Sequence, residues 1–259
     1  MGYAHIKVEA GPVAKVTLAR PDARNAMSDQ TLKELTSAFR TLGSDARARV
    51  LVVRGEGKDF CAGADIEWMR RAGKLPAEQG KADARLLADM LRAVDECPVP
   101  VIVAAHGNVF GGGLGLVAAC DIAVLTDDAN LCFSECRLGI LPAVISSWVL
   151  PKIGPAQARR YYLTAEVFGA ARAVQIGLAS EAVAAEELDA RVEKLVKTVM
   201  ACGPQAVRTA KALIPKLAGK TLDERIDLTV DTLVRLRSSP EGQEGLSAFL
   251  EKRKPSWTA

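Results

Sequence analysis

Two apolar runs, each emptying into a loop of small residues, constrain this chain more than any other feature. Val50-Leu51-Val52-Val53 precedes Phe60-Cys61-Ala62-Gly63-Ala64-Asp65-Ile66. Val101-Ile102-Val103-Ala104-Ala105 leads into Phe110-Gly111-Gly112-Gly113-Leu114-Gly115, which opens a helix-like run from Leu116 to Cys120. Both apolar runs read as buried strands, and the stretches between them carry helical spacing. Strand–helix–strand alternation implies right-handed crossovers and a mostly parallel sheet, so the expected class is α/β. In such sheets ligands sit beyond the carboxyl ends of the strands, where both loops would lie.

The rest of the chain falls around these runs. His5 to Glu9 and Val13 to Leu18 alternate about a Gly11-Pro12 turn and read as strands. Ser28 is placed to cap a helix running to about Leu42, with Leu32, Leu35 and Phe39 on one face. A helix is expected from about Asp83 to Glu96, stopped by Pro98 and Pro100. Short strands follow at 122–125 and 130–133. From Pro151 onward helical patterns dominate (155–163, 170–176, 185–201, 203–217, 221–235 and 240–252), and only 178–183 still reads as a strand. The expected division is an α/β core over 1–195 and a helical C-terminal region over 196–259.

Composition narrows the partners. The 34 basic and 31 acidic residues are well mixed, and a net charge of +3 gives no clustered basic face for nucleic acid. No apolar run is long enough to span a membrane, and residues 1–10 show neither a signal core nor an Arg-rich presequence, so a cytoplasmic protein is expected. The six cysteines lie mostly in apolar runs and read as reduced core residues. Cys132 and Cys136 form one C-x3-C pair, but zinc needs about four ligands and the chain has only two histidines. No metal is expected.

Three elements can carry chemistry. At a strand-to-helix turn, glycines 111–113 leave backbone N–H groups bare, and the helix N-terminus adds positive potential. The 60–66 loop is small enough at 62–64 for a ligand to approach its backbone. One N–H from each loop, converging on one oxygen, would form an oxyanion hole; each loop alone is equally a tight turn. The glycines match neither G-x-G-x-x-G nor a phosphate-binding loop. The third element is Glu135, in Ser134-Glu135-Cys136-Arg137-Leu138-Gly139 after the apolar Leu131-Cys132-Phe133. A carboxylate at a strand end beside apolar residues can have a raised pKa and act as acid or base. Alternatively it pairs with Arg137.

The combination resembles the crotonase family, the enoyl-CoA hydratase/isomerase superfamily, over almost the whole chain. Its landmarks stand in order: Arg20-Pro21-Asp22-Ala23-Arg24-Asn25-Ala26-Met27, Phe60 to Ile66, Gly111-Gly112-Gly113 with Cys120-Asp121-Ile122, and Glu135 to Gly139. The resemblance implies a spiral of ββα units with a helical C-terminal trimerisation region, as a homotrimer or a hexamer of stacked trimers. It implies an oxyanion hole from the N–H groups of Ala64 and Gly112, and a coenzyme A site lined by Ala23, Arg24, Ala62, Asp65 and Ile66. Phe249 and Lys252 match positions that reach a neighbouring subunit's coenzyme A. No tightly bound cofactor is implied; coenzyme A enters as part of the thioester substrate.

One departure bears on mechanism. Two-glutamate hydratases of this family carry one Glu two residues after the glycine triplet and another twenty residues later. Glu135 fills the later position, and the earlier one is Gly115. Glu135 is therefore expected to be the sole protein acid/base. Gly115 either makes room for a branched, carboxylated acyl chain or permits close helix packing. The segments 110–116, 134–137 and 142–146 resemble bacterial 3-methylglutaconyl-CoA hydratases of leucine and isovalerate catabolism, as does 239–253. Arg70, Arg71 and Lys74 are candidates for that substrate's free carboxylate, or simply a solvated helix end. The alternatives are a short-chain enoyl-CoA hydratase, a double-bond isomerase using one carboxylate, and an RNA- or coenzyme A-binding paralogue without activity.

Overall fold

The computed structural model describes residues 2–258. Nine strands and ten α-helices alternate among them. In chain order they begin β1 (Ile6–Glu9), β2 (Val13–Leu18), α1 (Asp29–Ser44), β3 (Val50–Gly55), α2 (Ile66–Ala72), α3 (Ala77–Asp95), β4 (Val101–Ala105), β5 (Asn108–Phe110) and α4 (Gly112–Ala119). Then follow β6 (Ile122–Thr126), β7 (Asn130–Cys132), α5 (Ser146–Thr164), β8 (Phe168–Gly169), α6 (Ala170–Gln175), β9 (Glu181–Val183), α7 (Leu188–Ala201), α8 (Pro204–Lys216), α9 (Leu222–Arg237) and α10 (Pro240–Leu250). The main sheet runs β1-β2-β3-β4-β6-β9, and a smaller one runs β5-β7-β8. Only β1–β2 and β7–β8 pair antiparallel.

The unbroken apolar runs are explained by burial on both faces. Leu51, Val53, Val101, Val103 and Ala105 join the larger core with α1 and α3, while Val50, Val52, Ile102 and Ala104 pack against Leu188, Val192 and Val196 of α7. A strand covered twice has no polar face to alternate. The expected boundary after residue 195 falls inside α7, whose apolar side covers the sheet on both sides of that point.

Ser28 caps α1, accepting from Thr31 N–H at 3.3 Å while the Thr31 side chain returns to Ser28 N–H. Three details correct the sequence reading. The helix expected from Asp83 starts at Ala77, because Ala77-Glu78-Gln79-Gly80-Lys81-Ala82 is exposed and has no apolar period to announce it. The strand expected over 178–183 is confined to Glu181–Val183. The 101–105 strand does not run straight into the glycine turn: β5 intervenes and belongs to the small sheet. That insertion carries the turn from one sheet to the other.

Candidate active site

The small sheet brings the two loops together. Cys61 extends it by a parallel bridge to Val109, with Cys61 N–H on Asn108 O at 3.0 Å and Phe110 N–H on Cys61 O at 2.9 Å. Three residues on, Ala64 bridges Met27: Met27 N–H donates to Gly63 O at 2.8 Å and Asp65 N–H to Met27 O at 2.9 Å. Successive residues of an extended segment point their amides to opposite sides. Ala64 N–H therefore faces away from Met27 and has no protein partner among the described residues. Gly112 opens α4, and the first N–H groups of a helix lack partners inside it.

Sterics force the close approach. Gly63 (φ +104°) lies against Phe110, where an added Cβ would stand 3.6 Å from Phe110 O. Gly111 (φ +48°) would place a Cβ 3.7 Å from Gly63 Cα and 3.3 Å from Glu135 Oε1. Its positive φ and the tight space both favour glycine. The Glu135 carboxylate thus sits where the two loops meet.

Glu135 begins a 3-10 turn (Glu135–Leu138) after the buried Leu131-Cys132-Phe133. Its Oε2 is buried and has no hydrogen-bond partner among the described residues. Burial pushes its pKa above the usual carboxylate range, against a smaller pull from its own backbone N–H. The alternative pairing with Arg137 is absent: no ion pair joins them. Gly115 is buried, and an added Cβ would lie 2.5 Å from Ile145 Cγ2 and 3.3 Å from Leu91 Cδ1. The space where a side chain at 115 would stand is filled by Ile145 and Leu91, which is close packing of the kind expected as one alternative.

The 20–27 and 60–66 segments, both expected to meet coenzyme A, lie side by side, joined by the Ala62–Arg24 and Arg20–Asp65 contacts. Arg20, unassigned from the sequence, ties them together by donating to Ala26 O at 2.7 Å and pairing with Asp65 at 3.1 Å. Asp65 also caps α2, accepting from Glu67 and Trp68 N–H groups at 3.0 and 3.2 Å. Burial works against its charge, but these bonds and Arg20 hold its carboxyl below the usual range. Ala62 N–H donates to Arg24 O at 2.9 Å, and Arg24 holds a left-handed φ of +49°. Ala23 is half-buried and Ile66 is 75% exposed. Asn25, also missed, is buried and donates to Glu56 O and Asp59 O, both at 2.8 Å. Its signal was an amide within a turn rich in left-handed residues. Phe249 is 81% exposed on α10, with Lys252 just beyond (φ +55°). Arg70 pairs with Glu67 at 2.7 Å and Arg71 with Asp29 at 3.4 Å, so both are engaged at the surface.

Two open clefts are present, the second bordering the anchors of the 60–66 loop. One of about 650 Å³ separates α8 from α9 beside Glu96 and Pro98, and one of about 560 Å³ lies at the ends of β3, β4 and β6. Neither contains Ala64, Gly112 or Glu135. Convergent chemistry marks the site here better than cleft size does. No group of three metal-binding side chains occurs among the described residues, and none of their helices is long and apolar enough to cross a membrane.

Known proteins resemble this chain in sequence and in fold. The profile of the enoyl-CoA hydratase/isomerase family matches residues 9–259. A crotonyl-CoA hydratase of Syntrophomonas wolfei is 32% identical over 260 residues, covering 99% of each chain. The crystal structure of an enoyl-CoA hydratase from Shewanella pealeana superposes with a TM-score of 0.94 at 36% identity, covering 98% of this chain and 96% of that one. An enoyl-CoA hydratase from Mycobacterium smegmatis gives 0.93 at 32%, covering 99% and 100%. Matching in sequence, fold and extent alike, this chain belongs to the enoyl-CoA hydratase/isomerase (crotonase) family.

Proposed function

We propose that this protein adds water across the α,β-double bond of an acyl-CoA thioester, or removes it, with Glu135 as the single protein acid/base. The observation that carries this reading is the buried, unpartnered Glu135 carboxylate oxygen beside two loops whose Ala64 and Gly112 N–H groups are free. Attack at the β-carbon drives charge onto the thioester oxygen. Two preorganised N–H donors stabilise that charge, and one such donor contributes about 2.7–4 kcal/mol at the transition state. Glu135 exchanges the α-carbon proton, and burial raises its pKa above the usual carboxylate range. Ala23, Arg24, Ala62, Asp65 and Ile66 would seat coenzyme A. No tightly held cofactor is called for.

The test is Glu135→Gln with crotonyl-CoA, following loss of the enoyl absorbance. The expected result is a fall in kcat of roughly 10²–10⁴-fold with coenzyme A affinity unchanged. Wild-type kcat in this variant would end the proposal.

The finer reading, 3-methylglutaconyl-CoA as substrate, rests on the resemblance at 110–116, 134–137 and 142–146. The wall beside Gly115 is apolar, made by Ile145 and Leu91, and supplies no partner for a distal carboxylate. Comparing kcat/KM for crotonyl-CoA, a 3-enoyl-CoA and 3-methylglutaconyl-CoA decides among hydratase, isomerase and the narrower assignment.

Self-association through the 196–259 region is part of the same proposal. Leu222, Ile226, Val230 and Leu233 recur on one face of α9 and are 48–70% exposed, an apolar stripe uncovered within one chain. Phe249 and Lys252 would then face a neighbouring subunit. Light scattering on Ile226→Asp/Leu233→Asp should show a loss of assembly.

A further inference from the structure

The closed space at Gly115 leaves a mechanistic gap. An attacking water needs two acceptors for its protons, and Glu135 supplies only one side. No carboxylate fits at 115, because Ile145 stands there. The next residue, Ser146, opens α5 and has a different chemistry. Its hydroxyl lies 3.1 Å from the hydroxyl of Tyr162 and is also hydrogen-bonded to Pro142 O. A carbonyl only accepts, and a serine hydroxyl has one proton. That one proton is shared between Pro142 O and the Tyr162 oxygen, both of which accept from Ser146. The Tyr162 oxygen, having accepted from Ser146, keeps a second lone pair free to accept.

Two further observations place the Tyr162 side chain in the neighbourhood of Glu135. The Tyr162 ring meets Phe133 edge-on, with centroids 5.0 Å apart, and Phe133 is two residues before Glu135. Burial raises the Tyr162 pKa; the hydrogen bond from Ser146 opposes this and the nearby Glu135 charge adds to it, so the phenol stays neutral. Glu135 Oε2 is buried and has no hydrogen-bond partner among the described residues.

We propose that Tyr162, fixed by Ser146, positions the water that reacts at the β-carbon, in place of the carboxylate absent at Gly115. This rests on the hydratase reading above. The water donates one hydrogen bond to the Tyr162 oxygen and one to the Glu135 carboxylate. Its oxygen bonds to the β-carbon as the double-bond pair moves onto the thioester oxygen, and its proton passes to Glu135. The enolate then reforms the carbonyl and takes that proton from Glu135 at the α-carbon. Glu135 returns to its starting state, and Tyr162 neither gains nor loses a proton.

Tyr162→Phe tests this, because water addition and α-proton transfer can be read separately. Hydration of crotonyl-CoA needs the positioned water. Exchange of the α-protons of butyryl-CoA in D2O needs only Glu135 and the N–H donors. In the full chain, Tyr162→Phe should lower kcat for hydration by about 30-fold or more at near-wild-type KM, since misplacing a reactant by about 1 Å costs up to about 10²-fold. Exchange should stay within about twofold. Ser146→Ala, which frees the phenol without removing it, should fall between wild type and Tyr162→Phe in hydration. Wild-type hydration by Tyr162→Phe overturns the proposal. So does a parallel fall in hydration and exchange, which would assign Tyr162 to supporting Glu135. Wild-type protein that shows neither reaction removes the hydratase reading itself, and this inference with it.

Discussion

The two loops that meet beside Glu135 are held in place by opposite means. The 60–66 loop is tied by polar groups: Arg20 spans Ala26 O and Asp65, Asp65 caps α2, and buried Asn25 anchors two carbonyls. No side-chain hydrogen bond caps the 111–115 turn. It is held by missing atoms, since a Cβ at 113 would stand 2.8 Å from Cys61 Cβ and one at 115 would stand 2.5 Å from Ile145 Cγ2. Deleting atoms should break the first loop, and adding them should break the second. Under the proposed function, the ionic loop would meet the charged carrier and the apolar turn the reacting carbons.

The largest effect is expected from Gly115→Glu. The new side chain must displace Ile145 or Leu91, and overpacking alone costs about 1–3 kcal/mol before a buried charge is counted. Hydration should fall by more than about 100-fold, equally for crotonyl-CoA and 3-methylglutaconyl-CoA, with a lowered Tm. Adding Ile145→Gly should recover part of both. A single variant that melts like wild type would show that the turn is not held by sterics.

Gly113→Ala probes the seam between the loops. The added methyl meets the Cys61 side chain, and a loss of about 1–3 kcal/mol corresponds to a Tm drop of roughly 2–12 °C in a chain of this size. Combined with Cys61→Gly, the losses should be less than additive, because the collision is shared. Additive losses in thermal melts would place the strain elsewhere. Cys61 brings no competing ionic effect, since burial pushes its thiol up to about 12.

For the polar loop, the corresponding deletion is Asp65→Ala. Losing an N-cap costs about 0.5–2 kcal/mol, and Arg20 also loses its carboxylate partner. Coenzyme A affinity should weaken while kcat at saturation stays within about twofold, because Ala64 N–H is set by the Met27 bridge rather than by Asp65's side chain. A kcat collapse at unchanged affinity would contradict the division of labour.

The sequence announces these two loops unequally. The α/β class, the Ser28 cap, both apolar strands and Glu135 were readable, because each has a local signature in period, cap chemistry or composition. Arg20 and Asn25 were legible only as parts of a landmark, since their partners are 45 and 34 residues away for Asp65 and Asp59. β5 was hidden because three residues with a polar first member show no period. The obstruction at Gly115 was invisible for the same reason that it works. Ile145 lies thirty residues downstream in sequence, and a glycine carries no sign of what presses against it. Tyr162 reads as one more apolar position on a helix until Ser146 is seen across from it.

The smallest expected effect concerns the group between the loops. Burial disfavours the ionised Glu135, so its folded pKa lies above its unfolded value. The folded state then holds the proton more tightly than the unfolded chain does. Stability from this group is fully present below the unfolded pKa and is lost as pH rises to the folded pKa, where the unfolded chain ionises first. Glu135→Gln removes the titration and keeps the shape. The variant should therefore melt higher than wild type at pH 8, and the difference should close toward pH 4. About 1 kcal/mol would appear as roughly 2–4 °C. Melts that keep the same gap at both pH values would mean that Glu135 is ionised at no cost, with a partner from one loop or the other. The polar and apolar halves would then not meet at an isolated carboxyl group.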